Sequence, residues 1–319
     1  SNKDLSDTIL RGADLTDANL AGVDLSDKDL TGTILRGMDL SNKDLSDTIL
    51  RGADLTDAVL PSDYLTAKDF EGTIFNGVDL SGKNMAEADF EIASFDNTNL
   101  KNAILNDAKF LNVDLTKIKN KSLAETDLRN TVFAYSNLLG LDLNGANLYR
   151  NNFQHATLTG LDFTAVKNKN IFGPSFNFAD LPNANFDGVR FIEKDEQGVI
   201  VTHTVLIPNW AHKVDESILE LTSQMWDQGV FGVFVTKKQA IGNDLELVMH
   251  DFASFLGSNL TNANLSNADL EQTIFFNANL ANANLSNADL GHTIFINANL
   301  SNANLTNADL TNAILDGAI

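Results

Sequence analysis

Three histidines, His203, His212 and His250, lie amid Asp215, Glu216 and Asp251. Imidazole with carboxylate is a familiar metal-ligand set, but the HExxH spacing that places two imidazoles on one helix face is missing. A histidine at an alternating strand position is more often partly exposed than ligating, so no metal ligand is assigned. The chain contains no Cys, which excludes disulfides and thiolate zinc sites. No G-x-S-x-G, P-loop or GxGxxG occurs in the strand–turn–helix context that gives those motifs their chemistry. The expectation is therefore a protein without catalytic residues, cofactor or metal, and not an enzyme. What remains for recognition is six side chains: Trp210 and Trp226, with Lys119, Lys121, Lys167 and Lys169. Buried aromatic anchors dominate many interfaces, although a small module also needs its tryptophans for its own core.

The elements that carry these residues are set by a repeat. From Leu5 to Leu115 a Leu, Phe or Met falls at nearly every fifth position, as in Leu5, Leu10, Leu15, Leu20 and Leu25. Two places earlier the residue is usually small, often Ala (Ala13, Ala18, Ala53, Ala58, Ala103), and between them stands most often Asp or Asn. The unit returns as NANLSNADL at 262–270 and 282–290 and as NANLTNADL at 302–310. A helix repeats its apolar face at three and four residues and a strand at two, so a beat of five fits neither alone. Within a block, residues two apart share one side of an extended segment and the Asp or Asn faces the other. Each block reads as a very short strand and a corner, and the chain winds into a coil.

The larger side chains count the blocks in a turn. Phe70, Phe90 and Phe110 are spaced by 20, as are Phe75 and Phe95, Phe133 and Phe153, and Phe255, Phe275 and Phe295. Stacked turns place like above like, so the coil has four sides.

These blocks resemble the A(D/N)LXX motif of the pentapeptide-repeat family. The resemblance covers residues 4–191 and 253–319. It implies an all-β fold, a right-handed quadrilateral (four-sided) pentapeptide-repeat β-helix solenoid, here with a small α/β insert. Handedness comes from the resemblance alone.

Three interruptions break the beat. DLTKIKNKSL (114–123) and DFTAVKNKNI (162–171) each add three residues, near 116–122 and 164–170, and each carries Lys-Asn-Lys. Loops of a solenoid tolerate such bulges; alternatively the two triplets form one small basic spot. The third interruption, 192–252, divides the coil into 1–191 and 253–319, the second continuing the same solenoid. Its pattern predicts a turn at 194–198, strands at 199–207, 230–236 and 245–249, and an amphipathic helix over 215–228 with Asp215 as N-cap.

The chain has 319 residues, 43% of them apolar, which suffices for a core. Lys and Arg total 22 against 43 for Asp and Glu, giving a net charge of −21. Such a chain repels DNA and anionic membranes, so neither nucleic acid nor membrane is expected as a direct partner. No apolar stretch reaches membrane-spanning length and no signal pattern opens the chain, which favours the cytoplasm. The chain starts and stops inside the repeat, as a fragment would, and its uncapped coil ends suit end-to-end or dimeric association. The expected function is a rigid scaffold or protein-binding module with another protein as partner. The family resemblance also implies an alternative, an acidic DNA mimic that binds a type II topoisomerase such as gyrase. Against it, a coil of about 12 turns is roughly 60 Å long, and duplex DNA of that length carries on the order of 35 phosphates, more than the chain's net charge of −21.

Overall fold

The computed structural model describes residues 9–194, 203–207, 233–241, 244–251 and 253–319. It divides into two compact units, Ser1–Asn168 and Lys169–Ile319. Both are coils of five-residue blocks, single bridges alternating with turns, almost without helix among the described residues.

In the first unit the beat of five becomes structure through its corners. After the central Leu15, the Ala18 amide donates to the Leu15 carbonyl at 2.9 Å, and Asp17 takes φ 60°. A positive φ at the third residue of an i→i+3 turn selects Gly, Asn or Asp, and Gly12, Asp27, Asp47 and Asn97 fill the same place. The residue before the centre completes the corner: Asp14 accepts the Thr16 amide at 3.0 Å. Between corners the backbone is extended for one bridge only. Asp14 pairs with Ile34, Ile34 with Asp54 and Asp54 with Ile74, all parallel. Backbone groups that are not used in the corners pair one turn away, as Leu15 does with Ile34 at 2.9 Å and Gly12 with Thr31 at 2.8 Å, which satisfies buried polar groups in a coil.

The small position two before the centre is read by space. Ala53, Ala88 and Ala103 are fully buried there, and so are Thr33, Thr73 and Thr98. Each of these hydroxyls donates to a carbonyl on the turn before, as Thr33 does to Leu10 at 2.8 Å and Thr98 to Phe75 at 2.7 Å. Inside, Phe70, Phe90, Phe110, Phe133 and Phe153 form one column with centroid spacings of 5.4, 4.8, 5.3 and 5.5 Å. The column passes from Phe110 to Phe133 without a gap because the first insertion lengthens that turn to 23 residues: Lys109 pairs with Val132 and Asp114 with Asn137. The two-residue strand β1 (Leu148–Tyr149) lies near the end of this unit.

The second unit opens with β2 (Ile171–Phe172). Its coil shows the four bridges of one turn directly: Ser254 with Ile274, Asn259 with Asn279, Asn264 with Asn284, and Asp269 with Asp289, before Ile274 meets Ile294. Residues 175–190 bridge straight onto 254–269 in the same order, from Ser175 with Ser254 to Arg190 with Asp269. Between these, β3 (His203–Ile207), β4 (Val233–Ile241) and β5 (Asp244–Asp251) form an antiparallel sheet in the order β3-β5-β4. β4 runs five residues beyond the 230–236 segment that alternation predicts. The pairing slips between Val235 and Lys237, and such a bulge ends the simple alternation while the strand continues. The helix expected over 215–228, with Trp210, His212 and Trp226, lies outside the described residues, as does most of the expected turn. Among the described residues no helix is long and apolar enough to cross a membrane.

Candidate interaction surfaces

The two Lys-Asn-Lys triplets adopt one conformation. Lys119–Lys121 and Lys167–Lys169 are single 3-10 turns in which Asn and the second Lys are both left-handed: Asn120 58°, Lys121 49°, Asn168 56°, Lys169 54°. They sit at successive corners. Lys119 donates its amide to Thr98, beside the Leu100 face, at 2.9 Å, and Lys167 donates to Ala146, beside the Leu148 face, at 2.9 Å. Their charges fall on different acid columns. Asp79 is held below the usual carboxylate range by hydrogen bonds from Ser81, with Lys119 adding to the effect. Burial would raise Asp127, but Arg129 outweighs it and Lys167 adds a little, so this carboxyl is also lowered. Within the first unit Lys119 and Lys167 thus act on separate acid columns. Lys169 turns its ammonium to the Asp187 carbonyl at 3.1 Å.

The acid position serves the backbone first. Asp24, Asp39 and Asp44 each accept the amide two residues on, and hydrogen bonds from those serines lower their pKa values. Asn264 and Asn284 make the same bond to Ser266 and Ser286. Asn adds what a carboxylate lacks, a donor. Asn264, Asn284 and Asn304 pass one side-chain hydrogen bond from turn to turn at 3.2 and 3.1 Å. Charge on this column is thus independent of the fold.

One acidic cluster stands out among the described residues. The carboxylates of Asp269, Glu271 and Asp289 lie within 4.8 Å of one another, and Lys194 enters their centre, at 3.0 Å from Asp269, 2.9 Å from Glu271 and 3.7 Å from Asp289. Burial disfavours the ammonium, but the bonds to Glu271 and Asp269 prevail and push its pKa up to about 12. The chain supplies its own cation here. Sequence pattern gives no sign of this pairing, because the partners lie more than seventy residues away along the chain. Of the histidines first weighed as ligands, His203 pairs with Met249, the chain neighbour of His250, and His250 pairs with Phe234; His212 lies outside the described residues.

An exposed aromatic pair occupies a strained corner of the first unit. Tyr135 and His155, both at positive φ (59° and 56°), stack at 4.6 Å and 14°, and Tyr135 is 57% exposed. Ile92, at φ 52° and exposed, holds the equivalent corner position. Left-handed backbone costs a bulky or branched residue on the order of 1 kcal/mol or more. Sequence reading passed over these residues, although each stands where the repeat elsewhere has Gly, Asn or Asp.

A family model described as pentapeptide repeats matches the chain in eight copies, over residues 1–37, 29–60, 84–119, 126–164, 253–291 and 283–319, together well over half its length. Among curated proteins none matches. Among solved structures the chain is similar to HetL, a pentapeptide-repeat protein involved in heterocyst differentiation regulation from the cyanobacterium Nostoc sp. strain PCC 7120. That match has 22% identity, covers 94% of this chain and 92% of the other, and has a TM-score of 0.25. It is also similar to QnrB1, a plasmid-mediated fluoroquinolone resistance protein, at 16% identity over 79% of this chain and 86% of that one, TM-score 0.26. A pentapeptide-repeat protein from the Arabidopsis thaliana thylakoid lumen matches at 26% identity over 44% of this chain and 71% of its own, TM-score 0.16.

Proposed function

The chain belongs to the pentapeptide-repeat family, and from that premise we propose that it is a non-enzymatic, right-handed quadrilateral solenoid acting as a rigid scaffold that presents residues 192–252 to another protein. The observation that carries this reading is the row of bridges from Ser175–Ser254 to Arg190–Asp269. The coil is complete without the segment between them, so that segment is free to serve recognition rather than closure. Solenoid stability is a sum over neighbouring turns, and an added module costs the stack little. Trp210 and Trp226 are assigned to partner contact, as are Lys119, Lys121, Lys167 and Lys169. The strained Tyr135–His155 pair suits the same role, because such backbone outliers cluster at binding surfaces. Binding by the full chain and by a variant with 195–252 replaced by a Gly/Ser loop tests the reading. Capture of the same partner with equal affinity by both would contradict it.

The alternative, a mimic of DNA acting on gyrase, finds less support. Asp and Asn make the same corner bond, so a coil selected for charge would have kept Asp, whereas the 253–319 coil carries mostly Asn. Inhibition of gyrase supercoiling by the loop-replaced variant would favour it.

A further inference from the structure

On most faces of the second unit the residues flanking the buried centre are Asn, Asp, Ser or Thr. The Phe255–Phe275–Phe295 face departs from this. The three rings stack inside at 4.9 and 5.1 Å, so the residues on either side of each ring point outward. Those residues are Ser254 and Leu256, Ile274 and Phe276, and Ile294 and Ile296. Below them Ser175 and Asn177 flank Phe176, which stacks on Phe255.

Burial along this outward face is graded. Asn177 is 0% exposed, Ser254 2%, Ile274 4%, Leu256 7% and Ser175 8%. One turn further Ile294 and Ile296 are half-buried, although turns of coil lie on both sides of them. Outward residues on the other faces, such as Asn279 and Asn284, are half-buried as well. Stacking can bury a small or ion-paired outward side chain, as at Ser266 (8%) and Asp54 (7%), but the outward isoleucines Ile34 and Ile74 on plain turns stay half-buried, so stacking of turns alone does not account for Ile274. In addition, Ser175 Oγ and Asn177 Nδ2 are buried with no hydrogen-bond partner among the described residues, and such groups are ordinarily satisfied.

We propose that the outward apolar face built from Leu256, Ile274 and Phe276 is the seat on which this chain's own sheet β3–β5 docks, with Ser175 and Asn177 hydrogen-bonding to it. The occupant is indicated by where the chain leaves and rejoins the coil. Lys194, fixed on Asp269, Glu271 and Asp289, holds the departing strand at the corner that precedes Ile274. The returning chain reaches Ser254, the first residue of the face, three residues after Asp251 ends β5. At about 3.3 Å per residue the sheet is held within roughly 10 Å of the seat, and a tethered segment competes at millimolar effective concentration. The seat rests on the reading of 192–252 as a module outside the coil, and its failure would leave that reading intact.

Hydrogen exchange of the full chain tests the seat. In a Leu256→Thr/Ile274→Asn double variant, amides of 244–251 should exchange at least about tenfold faster, while coil amides of 255–319 stay protected. An Ile314→Asn control, at the 42% exposed end of the same column, should change neither. Unchanged exchange in 244–251 with an intact coil would overturn the proposal. In case the double variant unfolds, a photo-crosslinking residue at position 276 of the otherwise native chain gives a second measurement. Crosslinks to 203–251 within one chain are expected. Crosslinks to a second copy, or none to that segment, would overturn it.

Discussion

Phe176 stacks on Phe255 at 4.8 Å and 11° although 192–252 lies between them in sequence. The spacing matches that of Phe255 on Phe275, where one plain turn intervenes. The core column therefore reads through the interruption as if the intervening chain were absent, and the coil's cohesion is local to neighbouring turns.

Truncating a ring within this column should be costly. Phe275 is fully buried between two stacked neighbours, so Phe275→Ala should destabilise by about 3–5 kcal/mol. Denaturant melts followed by near-turn hydrogen exchange would measure it; a loss under 1 kcal/mol would mean the column is loosely packed.

The charge at Lys194 gives a pH-dependent prediction. Its folded pKa is raised, so its contribution is full below the ordinary lysine value of 10.5 and is lost as pH rises through about 12. Lys194→Met leaves three carboxylates facing one another and should cost roughly 1–2 kcal/mol at neutral pH, part of it regained on acidification as one carboxylate protonates. The same variant should gain affinity for calcium, measurable by calorimetry, because the ammonium no longer fills the cluster. No change in either property would show the ion network to be incidental.

Much of this was legible in the sequence, and the reasons differ by residue. Leu and Phe at every fifth place fix the short strands, and Phe at every twentieth fixes four blocks per turn, because both record which side chains meet inside. The corner was legible too, but its left-handed backbone was not, although Asp, Asn or Gly recurs two places after most centres. The Lys194 cluster was not, since its partners come together only when the coil resumes. The outward Ile274 and Phe276 follow from Phe275 being the centre of TIFFN, yet the sequence does not say what covers them.

Acid should loosen the corners unequally. The Asp24, Asp39 and Asp44 carboxyls titrate below their ordinary value of 3.8, chiefly through hydrogen bonds from Ser26, Ser41 and Ser46. A depressed folded pKa gives stability that is present above that value and lost as pH falls through the folded one. As pH is lowered below 3.8, the amides of Ser26, Ser41 and Ser46 should lose protection relative to those of Ser266, Ser286 and Ser301, which are held by Asn. Equal losses would assign acid effects to overall charge instead.

Residues 1–18 repeat as 41–58 without a difference, a shift of two turns that keeps each side chain on its face. Deleting 1–40 should therefore leave a folded, shorter coil. Loss of cooperative melting would make those turns a required nucleus.

The most direct test of the scaffold reading is amide protection in the variant with 195–252 replaced by a short Gly/Ser loop. The account predicts that protection across 169–191 and 253–319 survives, as the Phe176–Phe255 stack implies, even with the Ile274 face newly open to solvent. Loss of protection on either side of the loop would show that the segment holds the coil together, and the scaffold reading would fall.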